Sequence, residues 1–158
     1  GVQCGEMRAE VGAWSLEERV PPVGSQNALV MSTASLQPVP GLFGREESAT
    51  LVLSCIENTT RLEFLFGENF MSDVAEFGEV IYRLDDAEPV VIAGQAAQDN
   101  GALGLYTGAA SIPIIREMFG AERLFASATS FTGRTMSVTF SIDGMEQAAE
   151  PLRELCNW

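Results

Sequence analysis

No histidine occurs in the chain, and each of its nine basic residues is an arginine. Without an imidazole, Ser–His–Asp and Cys–His nucleophile systems cannot be assembled, and most catalytic zinc sites lose their usual ligands. Chemistry by carboxylates and by cysteine remains. Asp85, Asp86 and Glu88 crowd one turn, and Glu68, Asp73 and Glu76 another. Acid–base hydrolysis needs two carboxyl groups held apart across a cleft, which adjacency in sequence does not supply. Neither cluster has the D-x-[DN]-x-[DN]-G spacing of a calcium loop. These carboxylates are expected at solvated turns, so no catalytic residue, metal ligand or cofactor is assigned.

The three cysteines, Cys4, Cys55 and Cys156, have no C-x-x-C spacing, which argues against a zinc site. Cys55 shares a period-two strand face with Leu51 and Leu53, and Cys156 lies on the apolar stripe of a C-terminal helix. Both therefore point inward. A Cys55–Cys156 disulfide is expected, worth about 4–5 kcal/mol in the chain-entropy model; two buried thiols is the alternative. Cys4 is then left over, either as a free thiol or as a lipid anchor that the preceding Val2-Gln3 fits poorly.

A second constellation, Tyr82, Arg83, Asp85 and Asp86, offers recognition rather than catalysis. Arg83 alternates with Ile81, on the face opposite Tyr82 and Leu84. Arginine and tyrosine are enriched in interface hot spots. These four residues are the candidate partner-binding set, against the alternative of a surface ion pair that contributes little.

The elements that must position these residues are mostly strands. A leading strand around Trp14 ends at Pro21-Pro22, and another covers residues 27–34 before residues 38–41 break the pattern. Residues 49–56 and 60–66 form a hairpin around a turn at residues 57–59. Strands follow at 80–86, 89–93 and 102–106. Ser111 is the expected cap of a helix that has Pro113 in its first turn and stops at Gly120. Two more strands cover 123–131 and 134–142, the latter turning Met136, Val138, Phe140 and Ile142 inward. Asp143 and Glu146 have capping-box spacing for a last helix, which Pro151 should kink.

At 158 residues and 46% hydrophobic content, the chain is expected to be one domain over 1–158. Within it, residues 1–11 are either poorly ordered or lead into the first strand. The expected fold class is mainly β (α+β), an antiparallel β-sandwich or a strongly curved sheet with two short helices, the second at the C-terminus. A net charge of −13 repels nucleic acid and anionic lipid. No apolar run is long enough for a transmembrane helix. The start at Gly1 rather than Met is expected of a removed leader or a trimmed terminus.

The order of motifs resembles a known family. It comprises Thr50-Leu51-Val52-Leu53-Ser54-Cys55, then Tyr82-Arg83-Leu84-Asp85-Asp86, residues 112–124, and residues 138–145. It closes with Pro151-Leu152-Arg153-Glu154-Leu155-Cys156-Asn157-Trp158. This order is similar to the VasI/TagO family, accessory proteins encoded with bacterial type VI secretion systems, across roughly residues 12–158. The resemblance implies a β-rich periplasmic protein without catalytic activity, whose partner is another protein of the cell envelope. Two other readings compete with it. The −13 charge would speed encounter with an exported basic enzyme such as a lysozyme, as an inhibitor or immunity-type module requires. A carboxylate-based hydrolase would need two converging carboxyl groups in a concave pocket.

Overall fold

A computed structural model describes residues 6–20, 27–41 and 44–158. Eleven strands curl into one nearly closed antiparallel sheet. Along the path the order is β7 (Val90–Ala93), β6 (Glu79–Leu84), β10 (Arg123–Thr129), β11 (Thr135–Ser141), β3 (Ala28–Pro40), β4 (Glu46–Ile56), β5 (Thr59–Leu65), β9 (Ala102–Leu105) and β8 (Gln95–Ala96). Of these, β4, β5, β6, β10 and β11 alternate inward and outward side chains with period two. The first and last strands of that path, β7 and β8, are separated in the chain by Gly94 alone. One extended segment therefore closes the ring by pairing with β6 on one side and β9 on the other. This curvature leaves only short outer edges, at β7, β8 and β1 (Glu6–Val11), where an open sheet would expose longer ones.

Glycine permits the closure. Gly94 donates its N–H to Gly78 O at 2.8 Å, and a Cβ on Gly78 would fall 2.9 Å from Gly94 O. Only residues without a side chain let the two backbones approach so closely.

The β4–β5 hairpin forms as the alternation predicts, on a two-residue turn with Glu57 and Asn58 both at positive φ. That geometry matches the twist of the flanking strands. Three differences from the sequence reading stand out. The leading strand is a hairpin, β1 (Glu6–Val11) and β2 (Trp14–Arg19), of which β2 also pairs with β3; Pro21-Pro22 lies outside the described residues. The prolines at 38 and 40 do not end the next strand, because β3 runs through to Pro40. The break is taken up by a register shift between Ala34 and Pro38, where Ser35 Oγ donates to Gln37 O and accepts from Ala49 N–H.

The third difference lies in the helices. Thr107, not Ser111, caps α1 (Gly108–Met118), accepting from Ala110 N–H at 3.2 Å. Ser111 lies inside the helix, fully buried, and donates to Thr60 O at 2.7 Å. The last helix is divided rather than kinked. α2 (Met145–Ala148) has no side-chain cap, so the Asp143/Glu146 box does not form, and α3 (Glu150–Cys156) begins afresh with Pro151 in its first turn. Pro151 thus occupies the one place in a helix where its missing N–H is harmless.

One hydrophobic core fills the curved sheet, with Trp14, Phe64, Phe66, Tyr82 and Phe140 among its largest fully buried side chains. The chain end is locked onto the β4–β5 hairpin by three successive residues. Cys156 is bonded to Cys55, Asn157 donates to Asn58 Oδ1 at 3.0 Å, and Trp158 Nε1 donates to Thr60 Oγ1 at 2.7 Å. Trp158 also stacks on Phe119, and the Arg153 guanidinium lies 5.0 Å from its ring centroid.

Candidate functional site

The strands that carry the Arg83 segment split its four candidate residues between different roles. Period-two alternation turns Tyr82 into the core, where its hydroxyl donates to Glu117 Oε2 of α1 at 2.9 Å. Asp85 follows β6 at φ 48° and turns its carboxylate onto the backbone, accepting from Arg123 N–H at 2.9 Å and Glu122 N–H at 3.2 Å. It is a turn clamp that ties the end of β6 to the start of β10. Asp86 is exposed in the same turn. Of the four, only Arg83 presents its side chain on the outer face of the sheet.

Around Arg83 that face is organised in two cross-strand rows. Arg83 is directly opposite Phe125 on β10, with its guanidinium 4.4 Å from the ring centroid, and Phe125 is opposite Thr139 on β11. Gln37 of β3 completes the row in an unusual way. Its Oε1 accepts from Thr139 N–H at 2.7 Å and its Nε2 donates to Thr139 Oγ1 at 3.1 Å, so a side chain continues the ladder where β3 has shifted register. The parallel row is Val91, Ile81, Ser127 and Ser137, with the two serine hydroxyls 3.2 Å apart. Ile81 and Val91 are exposed at 44% and 56%.

The result is a groove of about 400 Å³ with an apolar floor, hydroxyl groups along one wall and a single cation. Among the described residues Arg83 has no carboxylate partner, although the chain carries 22 acidic residues. A guanidinium spread over an aromatic face is held in place yet keeps its N–H donors free for a ligand. The outward alternation of Arg83 and Ile81 was legible in the sequence. Phe125 was not singled out, although the inward set Leu124, Ala126 and Ala128 places it on the same outer face. Gln37 carries no such signal, because its role depends on the register shift.

A second concavity lies across β5, β8 and β9, lined by Arg61, Glu63, Gln95, Gln98, Asp99 and Tyr106 among others. Here Tyr106 donates to Glu63 Oε2 at 2.8 Å. Tyr82 and Tyr106 are the only tyrosines, and both give their hydroxyl to a carboxylate. Burial first, and then that hydrogen bond and the carboxylate charge, hold both phenols protonated well above the ordinary range. Folded-state values above the unfolded one mean that this stability is complete below about pH 10 and lost as the pH rises further. Phenolate absorbance should therefore appear in one step, together with alkaline unfolding. Ionisation of either tyrosine at an ordinary midpoint in the folded protein would contradict this.

Among the described residues no group of three or more Cys, Asp or Glu is placed to hold a metal ion, and no helix is long and apolar enough to cross a membrane. A family model described as Type VI secretion system VasI, EvfG matches residues 20–158, a span that includes Cys55, the Arg83 groove and the Cys-Asn-Trp clasp. The chain belongs to the VasI family. It is thereby a type VI secretion-associated accessory protein. No curated protein matches it. The fold of this VasI-family chain is shared with the crystal structure of invasion associated protein b from Bartonella henselae. That likeness has a TM-score of 0.61 at 9% identity and covers 96% of this chain and 99% of that one.

Proposed function

We propose that this VasI-family chain is an exported, non-catalytic module that serves type VI secretion from the periplasm, holding another cell-envelope protein on the outer face of β6, β10 and β11. The observation that carries this reading is the unpaired Arg83 guanidinium over Phe125 in an exposed groove. An arginine already held on a ring loses less side-chain freedom when a partner arrives. Exposed Ile81 and Val91 add apolar area beside it, and Asp86 is exposed in the turn that follows β6. Export is supported by the Cys55–Cys156 bond, since disulfides persist in oxidising compartments. A non-catalytic role is supported by carboxylates engaged in structural bonds: Glu63 and Glu117 accept from phenols, and Asp73, Asp85 and Asp99 accept from backbone N–H groups.

Deletion of the gene in its native host should lower type VI-dependent release, and a wild-type copy should restore it. A copy carrying Arg83→Glu should reach the periplasm in equal amount, melt within about 2 °C of wild type as expected for an exposed substitution, and fail to restore release. Full restoration by that variant would remove the groove from the account. Undiminished release after deletion would remove the secretion role.

A further inference from the structure

We infer that the concavity over β5, β9 and β8, on a different face from the Arg83 groove, is a binding site for a neutral glycan. The construction begins with a glycine. Glu63, Gly104 and Gln95 stand side by side across the three strands, so the row has a dip at its centre. A Cβ on Gly104 would fall 2.6 Å from Leu62 O and 3.1 Å from Tyr106 Cζ. The Tyr106 ring is therefore laid back across the bare glycine, and Glu63 fixes its hydroxyl at 2.8 Å. An aromatic ring immobilised over a sheet is a ready platform for the C–H face of a sugar.

The polar groups around that platform suit hydroxyls, each of which both donates and accepts. Among the described residues the side-chain amides of Gln95 and Gln98 make no hydrogen bond, and each offers a donor and an acceptor. Asp99 uses Oδ1 on Gly101 N–H at 2.9 Å, which leaves Oδ2 for a ligand. The loop carrying Gln98 and Asp99 is set in advance. Asn100 N–H donates to Ala97 O, and the Asn100 side chain donates to Met71 O, each at 2.9 Å. Preformed geometry lowers the entropic cost of binding. The cleft is lined by one guanidinium, Arg61, and two carboxylates, Glu63 and Asp99, so an acidic ligand is disfavoured and an uncharged polyol is not. At about 780 Å³ the cleft is ample for a short oligosaccharide.

The test is a titration of isotope-labelled protein with chitotetraose and cellotetraose, read by amide chemical shifts. Saturable shifts at Gln95, Gln98, Asp99 and Gly104 with either sugar are expected. Tyr106→Ala should weaken binding about tenfold or more, while Tyr106→Phe, which keeps the ring, should stay within about threefold of wild type. If Tyr106→Ala fails to fold, the exposed pair Gln95→Ala with Gln98→Ala replaces it, with an expected loss of about fivefold or more. Arg83→Glu should leave glycan binding unchanged. An absence of shifts up to about 10 mM of either sugar, shifts confined to another face, or wild-type affinity in a folded Tyr106→Ala protein would each overturn the assignment.

Discussion

Replacing Cys156 with serine should lower the thermal midpoint by about 10–20 °C, and reduction of the wild-type protein should do the same. The bond joins residues 101 apart in sequence. In the chain-entropy model a loop of that length contributes about 4–5 kcal/mol, and about 1 kcal/mol shifts a domain of this size by 2–4 °C. Its position adds to the effect. Cys156 is the first of three residues that hold the chain end to the β4–β5 hairpin, and Trp158 then covers Phe119 behind α1. Loss of the covalent link leaves α3 held by burial of Leu152, two side-chain hydrogen bonds and ring contacts, so α3 should show the largest gain in amide exchange. Equal midpoints with and without reductant, or peptide maps in which Cys55 and Cys156 are both free thiols, would refute this.

The second large effect is expected in the core. Phe140 is fully buried on β11, and it is opposite Ser35 at the register position where β11 meets β3. That seam joins the β6–β10–β11 part of the sheet to the β3–β4–β5 part. Phe140→Ala removes most of a large side chain and leaves a cavity that close-packed neighbours cannot fill, at a cost of about 3–5 kcal/mol. Because Gln37 bridges the same seam through Thr139, the variant should also disturb the amides lining the Arg83 groove. Urea unfolding measures the energy. A loss below about 1 kcal/mol would mean that the seam can collapse around the gap, against the packing described here.

Much of this architecture is readable in the residue order. Period-two alternation located β4, β5, β6, β10 and β11, together with the inward faces that form the core, because burial on one side of a sheet writes itself into the residue order. The same logic oriented Cys55, and the apolar stripe of the last helix oriented Cys156. What local pattern could not convey was long-range. The prolines at 38 and 40 read as a stop, yet β3 tolerates them at a register shift that Ser35 stabilises. Closure of the sheet depends on two glycines meeting from positions 78 and 94, and β8 is too short to announce itself. The candidate partner-binding set was legible in the same uneven way. Arg83 was placed on the outer face by alternation, whereas Tyr82 belongs to the core and Asp85 to the backbone of the next strand. Neither the positive φ of Asp85 nor its hold on Glu122 and Arg123 follows from spacing. The family resemblance reached further than the local signals, because it weighed the Cys-Asn-Trp ending and the Tyr-Arg-Leu-Asp-Asp run together.

The most direct test of a partner-holding module is site-specific photocrosslinking in secreting cells. A photoreactive side chain at Ile81, exposed beside Arg83, should give one dominant adduct with a cell-envelope protein. The adduct should disappear when Arg83→Glu is combined with it. The same group at exposed Glu154 on α3 should give no such adduct. Equal adducts from both positions, or none from Ile81 while secretion proceeds, would contradict the account.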